Sequence, residues 1–257
     1  MKRWQIILIG ILAISCIAIG YALYCYYASP AERQAYIIPR HHDDTLRIAY
    51  IGDSWAAMHQ EHHCIISQMI SKRIHRPVKV VSFGLHGKTS KEIYESLFDN
   101  NDMRTLMVQG CDICFISAGI NDSYRKMNTN YYKTSMNYII LFMLANNIRP
   151  IILEIPDYDI VKAYYLQQTN RKLLRRASML ITGTQMDCKQ DFRKALQELI
   201  KEKSYQDKID VIRLKEWNNN YMNNLRTYYI ADGMHLNKEG YIRLDSAIAN
   251  HITSPKP

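Results

Sequence analysis

The chain has little of what marks the simpler non-globular classes. Glycine (10) and proline (7) are scarce among 257 residues, and no repeat or low-complexity tract is present, which excludes a collagen-like or disordered chain. Six cysteines without a spaced framework exclude a disulfide scaffold. No basic block stands apart either. The 33 Lys and Arg are interleaved with 24 Asp and Glu, so the net charge of +9 has no concentrated footprint and no nucleic-acid partner is expected. The sharpest absence is local: residues 4–31 contain no charged side chain, although the rest of the chain is charged throughout.

Within that gap, residues 6–27 are an almost unbroken run of 22 Ile, Leu, Ala, Tyr and Gly, reaching roughly 33 Å as a helix. The run reads as a transmembrane anchor covering residues 1–27, with membrane contact through 4–27. A cleaved signal would have a shorter apolar core and a small-x-small site. Ala13-Ile14-Ser15-Cys16 is discounted as a lipoprotein box because the apolar run continues through Ile19. Lys2 and Arg3 precede the span, so the positive-inside bias puts the N-terminus in the cytoplasm and the remaining chain outside it. Trp4, Tyr24, Tyr26 and Tyr27 stand at its two ends, where amphipathic rings favour the interface.

Residues 28–45 have no sustained period and read as a linker; residues 46–257 suffice for one domain. Apolar runs at 46–51, 78–83, 113–118, 151–155 and 209–214 are short, rich in Ile and Val, and read as buried parallel strands. Amphipathic stretches near 56–74, 90–98, 130–147, 189–203 and 238–251 alternate with them. This order predicts a three-layer α/β/α sandwich, doubly wound around a parallel sheet of about five strands. The connection at 157–188 is longer than usual.

In such sheets the cleft lies beyond the carboxyl ends of the strands, so what each strand runs into is informative. The first runs into Gly52-Asp53-Ser54, with a helix following directly; Ser54 there offers a hydroxyl and an amide, although an Asp-Ser pair is also an ordinary helix cap. The second runs into Gly84-Leu85-His86-Gly87-Lys88-Thr89, whose backbone can approach a ligand closely. The third runs into Gly119-Ile120-Asn121-Asp122, a carboxamide and a carboxylate on the same rim. Asp232-Gly233-Met234-His235 precedes the last helix, and Asp with His three residues apart suits a carboxylate that holds an imidazole tautomer. Singly each is weak. Together on one rim they offer nucleophile, oxyanion donors and base.

These four blocks, in this order, resemble those of the SGNH hydrolases, also called the GDSL esterase/lipase family, over about 46–249. The resemblance implies a flavodoxin-like fold with Ser54 as nucleophile, His235 as general acid and base, and Asp232 as its orienting partner. It implies an oxyanion hole of the Ser54 and Gly87 N–H groups and the Asn121 side chain, with Asp53 and Asp122 supporting. It implies no metal and no organic cofactor. Trp55, Ser82 and His86 depart from the usual family residues and are expected to alter the pocket walls. The G-x-S-x-G elbow of α/β-hydrolases is absent around Ser54.

The expected activity is therefore a serine esterase that removes a short acyl group, acetyl foremost, from a small-molecule or glycan ester in the cell envelope. A lipid acylhydrolase, a sugar acyltransferase and an inactive binding scaffold stay open as alternatives. Other features are given bland readings. His59 and His63 form an i, i+4 pair, with Glu61 and His62 between them, but no third metal ligand is placed and a solvated helix face is expected. The basic run Arg171-Lys172-Leu173-Leu174-Arg175-Arg176 is likewise expected on a solvated face rather than on anionic lipid. Cys111 and Cys114 are expected as packing residues of one strand, and the tyrosines as core and rim.

Overall fold

The computed structural model describes residues 2–59 and 63–253, the side chains of His63 and Cys64 excepted. The five apolar runs form one parallel sheet of β1 (Leu46–Gly52), β2 (Val78–Gly84), β3 (Ile113–Ser117), β4 (Arg149–Leu153) and β5 (Asp210–Ile212). Their order is β2-β1-β3-β4-β5. β3 is buried at each of its five positions, which is why its sequence shows no polar alternation. Helices cover both faces. His63–Ile74 and Lys238–Thr253 pack on each other in one layer, while Thr129–Ala145 packs against both Ser90–Asp99 and Lys189–Glu202 in the other.

The register decides where the loops meet. Gly52 pairs with Gly84 on one side and with Ser117 on the other, so β1, β2 and β3 end at one level and release their loops together. The β1/β3 boundary is also where the winding reverses, the place where such sheets open a crevice. Two glycines make the close packing there feasible. A Cβ on Gly52 would lie 2.1 Å from the Ser117 carbonyl oxygen, and one on Gly84 1.9 Å from the Ala57 nitrogen. Only hydrogen fits at either place.

Outside the sandwich, residues 3–27 form one helix of 25 residues, roughly 37 Å long, with no buried residue. It is long and apolar enough to cross a membrane, a test that a signal sequence near the N-terminus also passes. Residues 28–45 contain no helix or strand, and they lie on the domain. Ile38 is buried, the Arg33 amide donates to the Tyr94 hydroxyl at 2.7 Å, and the Ile38 amide donates to Asn146 Oδ1 at 2.8 Å. The long connection after β4 folds into helices Ile160–Tyr165 and Thr169–Thr182.

Two cysteine expectations separate here. Cys114 is buried within β3, but Cys111 precedes the strand, so the pair does not share one strand as expected. Both thiols are free, and burial pushes Cys111 up to about 12 and Cys114 well above the ordinary thiol range.

Candidate active site

Ser54 opens the short helix Ser54–His59 immediately beyond β1 and is 6% exposed. His235 Nε2 lies 2.9 Å from Ser54 Oγ, and His235 Nδ1 lies 2.6 Å from Asp232 Oδ2. The other Asp232 oxygen accepts the backbone N–H groups of Met234 at 2.8 Å and His235 at 3.0 Å. The carboxylate is thus clamped at one oxygen and faces the imidazole with the other. Partial burial works against its charge, but the His235 side chain and these two amides outweigh it and hold Asp232 below its ordinary value. An ionised Asp232 fixes the proton on Nδ1 and leaves Nε2 to accept the serine proton.

Gly87 takes φ of +71°, a left-handed conformation that favours glycine. Asn121 stands in the first turn of helix Ile120–Arg125, buried, and its Nδ2 donates to the Lys88 carbonyl at 3.1 Å. The two loops expected to supply oxyanion donors are therefore tied to each other. Arg125, which the sequence did not single out, braces the same turn: Nη2 donates to the Gly87 carbonyl and Nη1 to Glu92 at 3.1 Å. Glu92 closes a capping box with Thr89, its Oε2 accepting the Thr89 amide at 2.9 Å. That Thr-x-x-Glu spacing was the one local sign of the bracing; nothing in the sequence pointed to Arg125.

Asp53 and Asp122 lie behind the rim, both fully buried. Burial pushes Asp53 up to about 7, opposed by the Trp55 amide and reinforced by the nearby Asp122 charge. Burial pushes Asp122 up to about 6, against hydrogen bonds from Ser90 Oγ at 2.5 Å and Ser90 N at 2.8 Å. Through Ser90 and Trp55 they fix the backbone around Asn121 and Ser54.

Three expectations are corrected. Trp55 does not reshape a pocket wall at the surface: it is fully buried, edge-on to Trp217 with centroids 5.7 Å apart, and its Nε1 donates to the Met234 carbonyl at 3.2 Å. It therefore props the histidine loop from beneath. His59 is not on a solvated face. It is fully buried, with Nδ1 2.9 Å from Ser82 Oγ and Nε2 2.6 Å from Asp245 Oδ1. Glu61, His62 and the His63 side chain lie outside the described residues, and among the described ones no group of three His, Cys, Asp or Glu gathers to hold a metal. Arg175, also expected in solvent, is buried over the Tyr124 ring, with Cζ 3.4 Å from the centroid.

The chain has the SGNH hydrolase fold, a five-stranded parallel α/β sandwich with a serine at the β1 turn. A lipase/acylhydrolase from Enterococcus faecalis matches it with a TM-score of 0.53 at 19% identity, over 82% of this chain and 99% of that one. An acetyl-xylooligosaccharide esterase from Geobacillus, solved as a variant, gives 0.55 at 15% identity over 82% and 95%. An acetyl xylan esterase gives 0.54 at 13% over 80% and 100%. At these identities the likeness is one of fold. No protein-family model and no curated protein sequence matches the chain.

Proposed function

We propose that the chain is a membrane-anchored serine esterase of SGNH type, acting on a short acyl ester, acetyl foremost, of an envelope carbohydrate. The observation that carries the reaction class is the unbroken Asp232–His235–Ser54 hydrogen-bond chain, with links of 2.6 and 2.9 Å. In this reading His235 takes the Ser54 proton as Oγ attacks the ester carbonyl. The resulting oxyanion is met by the Ser54 and Gly87 N–H groups and the Asn121 amide, each contributing about 3 kcal/mol to barrier lowering. His235 then protonates the leaving alcohol, and water attacks the acyl-serine with the same imidazole as base.

The carbohydrate substrate is supported by fold-level analogy to the two acetyl esterases. Reading residues 1–27 as a retained anchor, 28–45 as the link to the domain, and 46–257 as an extracytoplasmic catalytic domain rests on the apolar helix and on Lys2 and Arg3 before it. A second reading, hydrolysis of lipid acyl esters, is favoured by the exposed leucines of helix Thr169–Thr182. The full chain in detergent, offered nitrophenyl acetate and long-chain nitrophenyl esters, separates the two. Preference for acetate supports the first, preference for long chains the second, and turnover that survives Ser54→Ala overturns both.

A further inference from the structure

Helix Thr169–Thr182 is amphipathic but faces the reverse of what water favours. Its polar Arg175 and Ser178 are buried against the domain, while Leu173, Leu174, Leu180 and Ile181 are exposed, Leu173 at 61% and Leu180 at 86%. At about 100° per residue these four and Ala177 fall within an arc of roughly 120°, one continuous stripe. Exposed Val161, Tyr165 and Leu166 of the preceding helix and turn add to the exposed apolar surface of the insertion. A patch of this kind needs a cover that is not water.

The end of the N-terminal helix indicates the cover. Tyr27, its last residue, donates its hydroxyl to Ser178 Oγ on the buried flank of Thr169–Thr182. Lys91 Nζ donates to the carbonyl of Ala28 at 2.9 Å, holding the same exit point against the domain. If the 25-residue helix spans a bilayer, Tyr27 lies at the interface, and the leucine stripe is held at that height. Charge agrees. Between Asp159 and Asp187 the chain carries Lys162, Arg171, Lys172, Arg175 and Arg176 and no acidic residue. Of these, Arg171 and Arg176 are exposed on the helix beside the stripe.

We propose that helix Thr169–Thr182 lies in the interfacial layer of the bilayer that the N-terminal helix crosses, its leucines in the acyl boundary and Arg171 and Arg176 at anionic headgroups. The proposal rests on the reading of that helix as a retained span. Its consequence is positional. The Asp159 amide donates to the Gly233 carbonyl at 3.0 Å, Lys162 Nζ donates to the Ala231 carbonyl, and the Tyr124 hydroxyl donates to the Ala163 carbonyl at 3.1 Å. These bonds join the preceding helix Ile160–Tyr165 to the His235 loop and the Asn121 helix, and Arg175 of the docked helix lies over the Tyr124 ring, so the Ser54 rim is held beside the membrane surface, where it meets esters borne on that surface.

The test uses the full chain in vesicles of phosphatidylcholine with about one quarter phosphatidylglycerol. A benzophenone amino acid is placed at Leu12, Leu173, Leu180 or Gln109, and photo-adducts are read by mass spectrometry. Lipid adducts at Leu173 and Leu180 at least tenfold above the exposed Gln109 control are expected. Lipid adducts at Leu12 with none at Leu173 and Leu180 overturn the docking while leaving the span intact. Failure at Leu12 itself overturns the retained span and the premise with it. Cross-linked dimers through Leu173 or Leu180 in place of lipid adducts overturn the proposal in favour of a second copy of the chain as the cover.

Discussion

Among the described residues stand two serine–histidine–aspartate chains with nearly the same hydrogen-bond lengths and very different situations. At the rim, Ser54, His235 and Asp232 are linked at 2.9 and 2.6 Å; in the core, Ser82, His59 and Asp245 are linked at 2.9 and 2.6 Å. The rim set is partly open, with the His235 side chain 23% and the Asp232 side chain 34% exposed, whereas both His59 and Asp245 side chains are fully enclosed. Residue types and hydrogen-bond lengths are therefore not what sets the two apart; exposure is. The proposed triad sits where three strand-end loops open, while the sealed set, between β2 and the last helix and flanked by Tyr50 and Tyr241 rings, can only hold structure. His59 is on the same short helix as Ser54, so the buried set anchors the element that presents the proposed nucleophile.

The comparison is broken or sharpened most strongly at the two serines. Ser54→Ala is expected to lower kcat by on the order of 10⁴-fold or more with an almost unchanged Tm. Ser82→Ala is expected to keep kcat within a few-fold and to cost about 1–3 kcal/mol, because it leaves a buried His59 nitrogen without its partner. Steady-state turnover of nitrophenyl acetate together with thermal unfolding reads both, and a large kcat loss from Ser82→Ala would erase the distinction. The other members of the two sets should divide in the same way. Asp232→Asn is expected to lower kcat by about 10³- to 10⁴-fold through loss of the correct imidazole tautomer. His59→Ala in the core, which removes the buried imidazole from both Ser82 and Asp245, is expected to cost about 3–5 kcal/mol, seen as a Tm fall of roughly 10 °C.

Smaller effects follow at the supporting groups. Asn121→Ala is expected to reduce kcat by about 10²- to 10³-fold, as removal of one oxyanion donor does, and to cost about 1 kcal/mol through loss of its bond to the Lys88 carbonyl. The pH dependence has opposite signs at the two kinds of carboxylate. Asp232, held below its ordinary value, contributes stability above the unfolded carboxylate range, and that contribution is lost as pH falls through its folded value. Asp53, pushed up to about 7, does the reverse: the fold favours its protonated form, so stability falls as pH rises from about 4 to about 7 and stays lower beyond. Asp53→Asn should therefore gain a few degrees of Tm relative to the parent at pH 8 and none at pH 4.5. Equal shifts at both pH values would contradict the raised carboxyl.

Most of the fold was legible because its signals are local. β1, β3 and β4 are largely apolar, and the ends of β1 and β2 and the loop after β3 carry the glycines that their close packing requires. The Asp-x-x-His spacing was legible for the same reason, since both partners belong to one turn. His59 was misread because its neighbours in sequence are polar, while its partners are 23 and 186 residues away. Arg175 was misread in a similar way: a basic run on a helix looks solvated until Tyr124 is placed beneath it. The outward leucine stripe shares that cause, because periodicity shows that a helix has an apolar face but not which way the face points.

The amino-acid sequence by itself determined that an apolar helix precedes one α/β domain, and which four loops carry the chemistry-bearing residues. Only the tertiary structure decided which serine–histidine pair is sealed and which stands at the open rim, that Trp55 supports the site from below, and that Thr169–Thr182 turns its leucines outward beside Tyr27. Strand and turn signals are written in neighbouring residues. Burial and pairing across the sheet are settled by register and layer packing, which bring together groups that no local pattern relates.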